Sequence, residues 1–171
     1  MAGKKDINQL LEEMQVHIDN TLALSIDSAS VVWSPDRRSH QVELWGDWDV
    51  QDRRPLLSKY PRGHVHLHTV PNEGYAANDQ GQAILGGLFV SEAFKEVTAV
   101  LLLPPADFQA MFAVFSLPRE VRAAARVVIT VFGGLKDWNE SGVLDIAEAT
   151  IRIGDVRPYD SEAKPVKPDL R

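Results

Sequence analysis

The chain contains no cysteine, and this absence excludes several kinds of chemistry at once. Disulfide frameworks, thiolate zinc sites and cysteine nucleophiles all require the missing residue. No stretch approaches the ~18 consecutive apolar residues of a membrane span, and the N-terminus shows no apolar core of a signal peptide. These absences together predict a cytoplasmic protein with no membrane partner.

Positive charge and enzyme motifs are also scarce. The chain carries 24 acidic and 18 basic residues, and the basic residues occur only in small groups. Because proteins that bind nucleic acid gather Lys and Arg on one face, the sequence disfavours a nucleic-acid partner. A Walker loop, a G-x-S-x-G elbow, an H-E-x-x-H helix and a dinucleotide fingerprint are all missing. The sequence therefore favours a non-catalytic protein.

The composition is that of one globular domain. Of the 171 residues, 44% are hydrophobic and 25% are charged, which is close to the average of folded proteins and excludes wholesale disorder. We expect a single β-rich domain over residues 1–157. Residues 158–171 contain three prolines among mixed charges, so we expect a flexible tail there.

The periodicity of apolar residues indicates a mainly β fold. Helical spacing predicts a short N-terminal helix over 6–14 and a Phe-rich connecting helix over 106–117. Alternation or continuous apolar runs predict seven or eight strands, over 16–26, 28–33, 40–50, 63–70, 82–90, 96–103, 126–132 and 143–156. Because the strands do not alternate with helices, we expect an antiparallel two-sheet β-sandwich, with a partly open barrel as the alternative.

Three histidines stand at strand spacing in the run Gly63-His64-Val65-His66-Leu67-His68. Alternate side chains of a strand share one face, so the imidazoles would lie roughly 6–7 Å apart with Val65 and Leu67 pointing into the core. Neutral imidazoles bind zinc, nickel or iron, and neighbouring histidines of this kind can chelate one ion. The sequence thus offers His64, His66, His68 and Glu73 as candidate metal ligands, with an exposed amphipathic strand as the other interpretation.

The segment His66-x-His68-x₄-Glu73 resembles the first metal motif of the cupins over these eight residues. The resemblance implies a small β domain that binds a divalent transition metal and acts on a small molecule. No histidine follows His68, so the later histidine of the cupin pattern is missing. The resemblance therefore implies a degenerate cupin at most.

A second candidate face lies on the strand over 40–50. Trp45, Glu43, Asp47 and Asp49 alternate onto one side, and a large aromatic ring among carboxylates is typical of a surface that meets a partner or a sugar. A solvated strand face is the other interpretation of the carboxylates.

Three functions follow from these features. The first is a non-catalytic interaction or self-assembling module, with a protein partner or a homodimer formed through the Trp45 face and no cofactor. The second is a metal-dependent or degenerate cupin-like enzyme that uses the histidine strand. The third is a carbohydrate-binding module in which Trp45 stacks on a sugar.

Overall fold

Seven strands form one closed ring in the computed structural model of the chain, which describes residues 7–9, 19–34, 39–49, 52, 54–118, 124–135, 138 and 142–154. The strands are β1 (Thr21–Ser34), β2 (Ser39–Trp48), β3 (Arg62–Thr69), β4 (Gly86–Ser91), β5 (Glu96–Leu103), β6 (Ala124–Val131) and β7 (Leu144–Gly154). Besides the helical residues 7–9, the described part of the chain contains two helices, α1 (Pro55–Lys59) and α2 (Pro105–Phe115). The mainly β character predicted from periodicity is confirmed.

The order of strands around the ring is β1-β2-β3-β5-β4-β7-β6, and β1 pairs with β6 to close it. The two-sheet sandwich is not confirmed, because pairing runs from strand to strand without a break into two layers. The closed ring also differs from the alternative prediction, a partly open barrel. A closed sheet has the physical advantage that it leaves no edge strand with unpaired backbone groups.

One pair of strands departs from the predicted antiparallel arrangement. β3 and β5 are parallel, with Gly63 opposite Val97 and Thr69 opposite Leu103. A parallel pair needs a long crossover, and the loop after β3 together with β4 supplies it. β4 then pairs antiparallel with β5 on the far side.

Alternating side chains fill the interior of the ring. Each strand contributes apolar residues that are almost completely buried, among them Leu24, Leu44, Val65, Leu67, Ala99, Leu101, Val127, Ile129 and Ile146. The predictions that Val65 and Leu67 face the core, and that the apolar run over 96–103 is a buried strand, are confirmed.

The two helices lie at opposite ends of the ring. α1 connects the end of β2 to the start of β3 and buries Leu57. α2 follows β5, contacts β1, β2 and β3, and buries Phe108 and Phe115. In the described part of the chain, neither helix is long and apolar enough to cross a membrane.

Some sequence predictions fall outside the described residues. Of the N-terminal helix expected over 6–14, only residues 7–9 are described, and they are helical. The tail over 158–171 lies outside the described residues. The strands expected over 16–26 and 28–33 are one strand, β1, whose register with β2 shifts between Ile26 and Ser28.

Candidate metal site

The histidine strand lies in the middle of three paired strands, and its neighbours bring polar side chains to the same face. In the register of β2 and β3, Glu43 is opposite His66 and Trp45 is opposite His64. On the other side, β5 places Thr98 opposite His64. Because Val65 and Leu67 point into the ring, these side chains line its outer face.

Three of these residues form a group with the donor types of a metal site. Glu43, His64 and His66 each offer one ligand atom, and the three atoms lie within 4.8 Å of one another. Their positions are fixed by the backbone: two histidines are two residues apart on β3, and the carboxylate reaches them from β2. Glu43 is itself oriented by Gln41, whose Nε2 donates to Glu43 Oε1 at 2.8 Å.

The two ring nitrogens of His64 differ in their contacts. Its Nδ1 lies 3.0 Å from Glu96 Oε1, and both side chains are 11% exposed. Its Nε2 is buried and has no hydrogen-bond partner among the described residues. The tautomer that donates from Nδ1 to Glu96 leaves a lone pair on Nε2, which is the arrangement of histidines that bind metal ions.

Trp45 covers His64 rather than standing free. The two rings are stacked with their centroids 4.6 Å apart and an angle of 19° between their planes. The centroids of the His64 and His66 rings are 4.0 Å apart. This cover helps to explain why a histidine on the outside of the ring is only 9% exposed.

Burial keeps His66 and His68 in their neutral forms. Burial, together with the charge of the neighbouring His64 and His68, lowers the pKa of His66 to about 4. Burial also lowers the pKa of His68, partly opposed by the charge of Glu43. A neutral imidazole is the form that binds a metal ion, so His66 needs no deprotonation near neutral pH.

Two of the candidate ligands from the sequence are not part of this group. His68 shares the face, but its ring centroid is 6.1 Å from that of His66 on the side away from His64. Glu73 is exposed on the loop after β3. The group contains Glu43 in its place, because strand pairing brings the carboxylate of β2 across from His66.

Glu96 was not singled out from the sequence. It begins the buried strand β5 and is itself only 9% exposed. A carboxylate at the start of a buried apolar run needs a polar partner, so the sequence could have indicated that Glu96 has one. The sequence could not identify His64 as this partner, because the parallel pairing of β3 with β5 joins segments that are separated by a loop and another strand.

The acidic residues around Trp45 are engaged within the chain. Asp47 lies 2.9 Å from Arg62, which also binds Asp27, and these two carboxylates raise the pKa of Arg62. Asp49 lies 2.7 Å from Arg126. The proposed interaction surface of Glu43, Trp45, Asp47 and Asp49, for a protein, a second copy or a sugar, stays a prediction.

Comparison with known proteins adds no family to this picture. No family model, no curated protein and no solved structure matches the chain. The function must therefore be argued from the residues themselves.

Proposed function

We propose that this chain binds a divalent transition-metal ion on the outer face of its β-ring, through Glu43, His64 and His66. The observation that supports this most is the state of His64, which belongs to this group of three donor residues. Its Nε2 is buried and has no hydrogen-bond partner among the described residues, and its Nδ1 contacts a buried carboxylate. An unpartnered buried polar atom costs about 1–3 kcal/mol. A metal ion would satisfy it.

The donor set points to zinc or iron(II). Two histidines and one carboxylate are the protein ligands of one class of zinc site and of mononuclear iron(II) sites. Three protein ligands leave at least one coordination position for water or a small molecule, unlike the four ligands of a structural zinc site.

Binding requires the donor side chains to move closer together. In a tetrahedral zinc site with bonds of about 2.0–2.2 Å, two ligand atoms are about 3.3–3.6 Å apart. The donor atoms, which lie within 4.8 Å of one another, would close by up to about 1.5 Å. Side-chain rotation supplies a movement of this size without a change in the strands.

Titration of zinc into tag-free protein, followed by calorimetry and thermal unfolding, tests the proposal. At a free concentration of 100 times the Kd, a ligand specific for the folded state adds about 2.7 kcal/mol of stability, which for a chain of this length raises the Tm by roughly 5–10 °C. Glu43→Gln, His64→Gln and His66→Gln should each weaken zinc binding at least tenfold.

The matched control is Glu73→Gln, which alters the exposed carboxylate that the sequence suggested as a ligand. Zinc affinity should be unchanged in this variant. The proposal fails if neither zinc nor iron(II) produces heat or a shift in Tm, or if Glu73→Gln weakens binding as much as Glu43→Gln does.

A further inference from the structure

A cavity of about 410 Å³ lies between α2 and the end of the ring. Its lining consists of His40, Thr69, Pro105, Phe108, Gln109 and Phe112. The volume falls within the roughly 300–1,000 Å³ range of small-molecule sites.

The cavity is separate from the metal site. His40 and Thr69 lie two residues beyond the paired, inward-facing Val42 and Leu67, near the start of β2 and at the end of β3. Side chains alternate along both strands, so His40 and Thr69 lie on the opposite face from Glu43.

Aromatic rings form a continuous row along the cavity. The centroids of the Phe108 and Phe112 rings are 6.2 Å apart. Phe112 and His40 form an edge-to-face contact, with their centroids 5.5 Å apart and an angle of 89° between their planes. His40 in turn stacks on Trp33, with their centroids 6.2 Å apart and an angle of 20° between their planes. Trp33 is 60% exposed although it is the largest side-chain type, so the row extends from the buried Phe108 to the surface.

The described residues of the lining include polar groups but no Asp, Glu, Lys or Arg. The imidazole of His40, the hydroxyl of Thr69 and the amide of Gln109 can donate and accept hydrogen bonds beside the rings. A charged ligand would lose its hydration without gaining an ion pair in this lining. Flat aromatic surfaces favour offset or edge-on contact with another ring.

From the row of rings, the uncharged side chains among the described lining residues and the volume, we infer that this cavity is a binding site for a small, neutral, aromatic molecule that carries a hydrogen-bonding group. The site is independent of the proposed metal ion. Its ligand packs a ring against Phe108, Phe112 and His40, and its polar group meets Thr69 or Gln109.

Indole is a suitable probe because it is flat, uncharged and carries one N–H group. Two-dimensional amide NMR of the full chain, titrated with indole to roughly 10 mM, should show saturable shifts centred on the lining residues, as expected of a fragment with on the order of ten heavy atoms. Benzoate is of similar size but charged, and it should bind at least tenfold more weakly.

Two variants locate the site. Gln109→Trp places a large side chain at an exposed lining position of α2 and should weaken indole binding at least tenfold while the spectrum stays that of a folded protein. Phe112→Leu should weaken it several-fold. The matched control is Phe94→Leu, since Phe94 is 75% exposed in the turn between β4 and β5 and should leave indole binding unchanged.

Three results would overturn the inference. One is the absence of saturable shifts with indole. Another is equal or tighter binding of benzoate. The third is unchanged indole affinity in both the Gln109→Trp and Phe112→Leu variants.

Discussion

At the scale of single residues, the two ring nitrogens of His64 have different surroundings. Nδ1 faces the carboxylate of Glu96, whereas Nε2 is buried and has no hydrogen-bond partner in the described part of the chain. In metal sites, a carboxylate on the second nitrogen fixes the tautomer and raises the basicity of the ligand. Glu96 is therefore expected to act through His64 as a positioning residue, without touching the ion.

Replacing Glu96 by Gln tests this role. The amide keeps the size of the side chain and can still accept a hydrogen bond, but it lacks the negative charge. Zinc affinity should fall by about 10–100-fold, measured by calorimetry on protein that unfolds at a Tm close to that of the parent. Glu148→Gln alters an exposed carboxylate on β7 and should leave the affinity unchanged.

If Glu96→Gln and Glu148→Gln bind zinc equally well, Glu96 has no positioning role. An Asp at position 96 keeps the charge but shortens the reach, so we expect Glu96→Asp to retain part of the affinity that Glu96→Gln loses.

At the scale of elements, the pairing of β1 with β2 holds the strand that carries Glu43. The two strands approach closely at Gly46, where a Cβ atom would lie 1.9 Å from the backbone oxygen of Ser25. The register shifts next to this contact, between Ile26 and Ser28. A side chain at position 46 would therefore push apart two backbones that cannot easily move.

Gly46→Ala should lower the free energy of unfolding by about 2–4 kcal/mol, because it creates a clash with backbone atoms. Urea denaturation followed by tryptophan fluorescence measures the change. Gly154→Ala is the matched control at the end of β7, where an added Cβ meets no atom within 4 Å, and its stability should stay within about 0.5 kcal/mol of the parent. Equal stabilities of the two variants would contradict the close approach.

At the scale of the whole molecule, β6 and the strand that carries the histidines of the proposed metal site are well separated around the ring. β6 lies three strands from β3 in one direction around the ring and four in the other. The closing pair β1–β6 buries Ile129 opposite Leu22, and both side chains are almost completely inaccessible. Stability of the closure and affinity for the metal should therefore be separable.

Ile129→Ala tests this separation. It removes buried apolar volume at the closure and should reduce the free energy of unfolding by about 2–5 kcal/mol. At a temperature where the variant is fully folded, its zinc affinity should stay within about twofold of the parent, since the two sites share no contact. Val143→Ala, at a position that is 64% exposed, serves as the control for stability. A parallel loss of zinc affinity in Ile129→Ala would show that the ring and the site are coupled.

The sequence by itself determined the local pattern of this protein. Period-two alternation identified β3 and placed the three histidines on one face, because the pleat of a strand depends only on its own backbone. The continuous apolar run over 96–103 indicated a buried strand, which is β5. Helix α1 was missed because a single helical turn begun by a proline carries little periodicity.

Only the tertiary structure decided which strands are neighbours, and the candidate metal site depends on those neighbours. Glu43 faces His66 because β2 pairs with β3, and Glu96 reaches His64 because β5 crosses over to lie parallel to β3. Pairing between strands distant in sequence is set by the free energy of the whole closed ring, which no local window of residues contains. For the same reason the sequence proposed the nearby Glu73 as a ligand, whereas the fold brought Glu43 to the histidines.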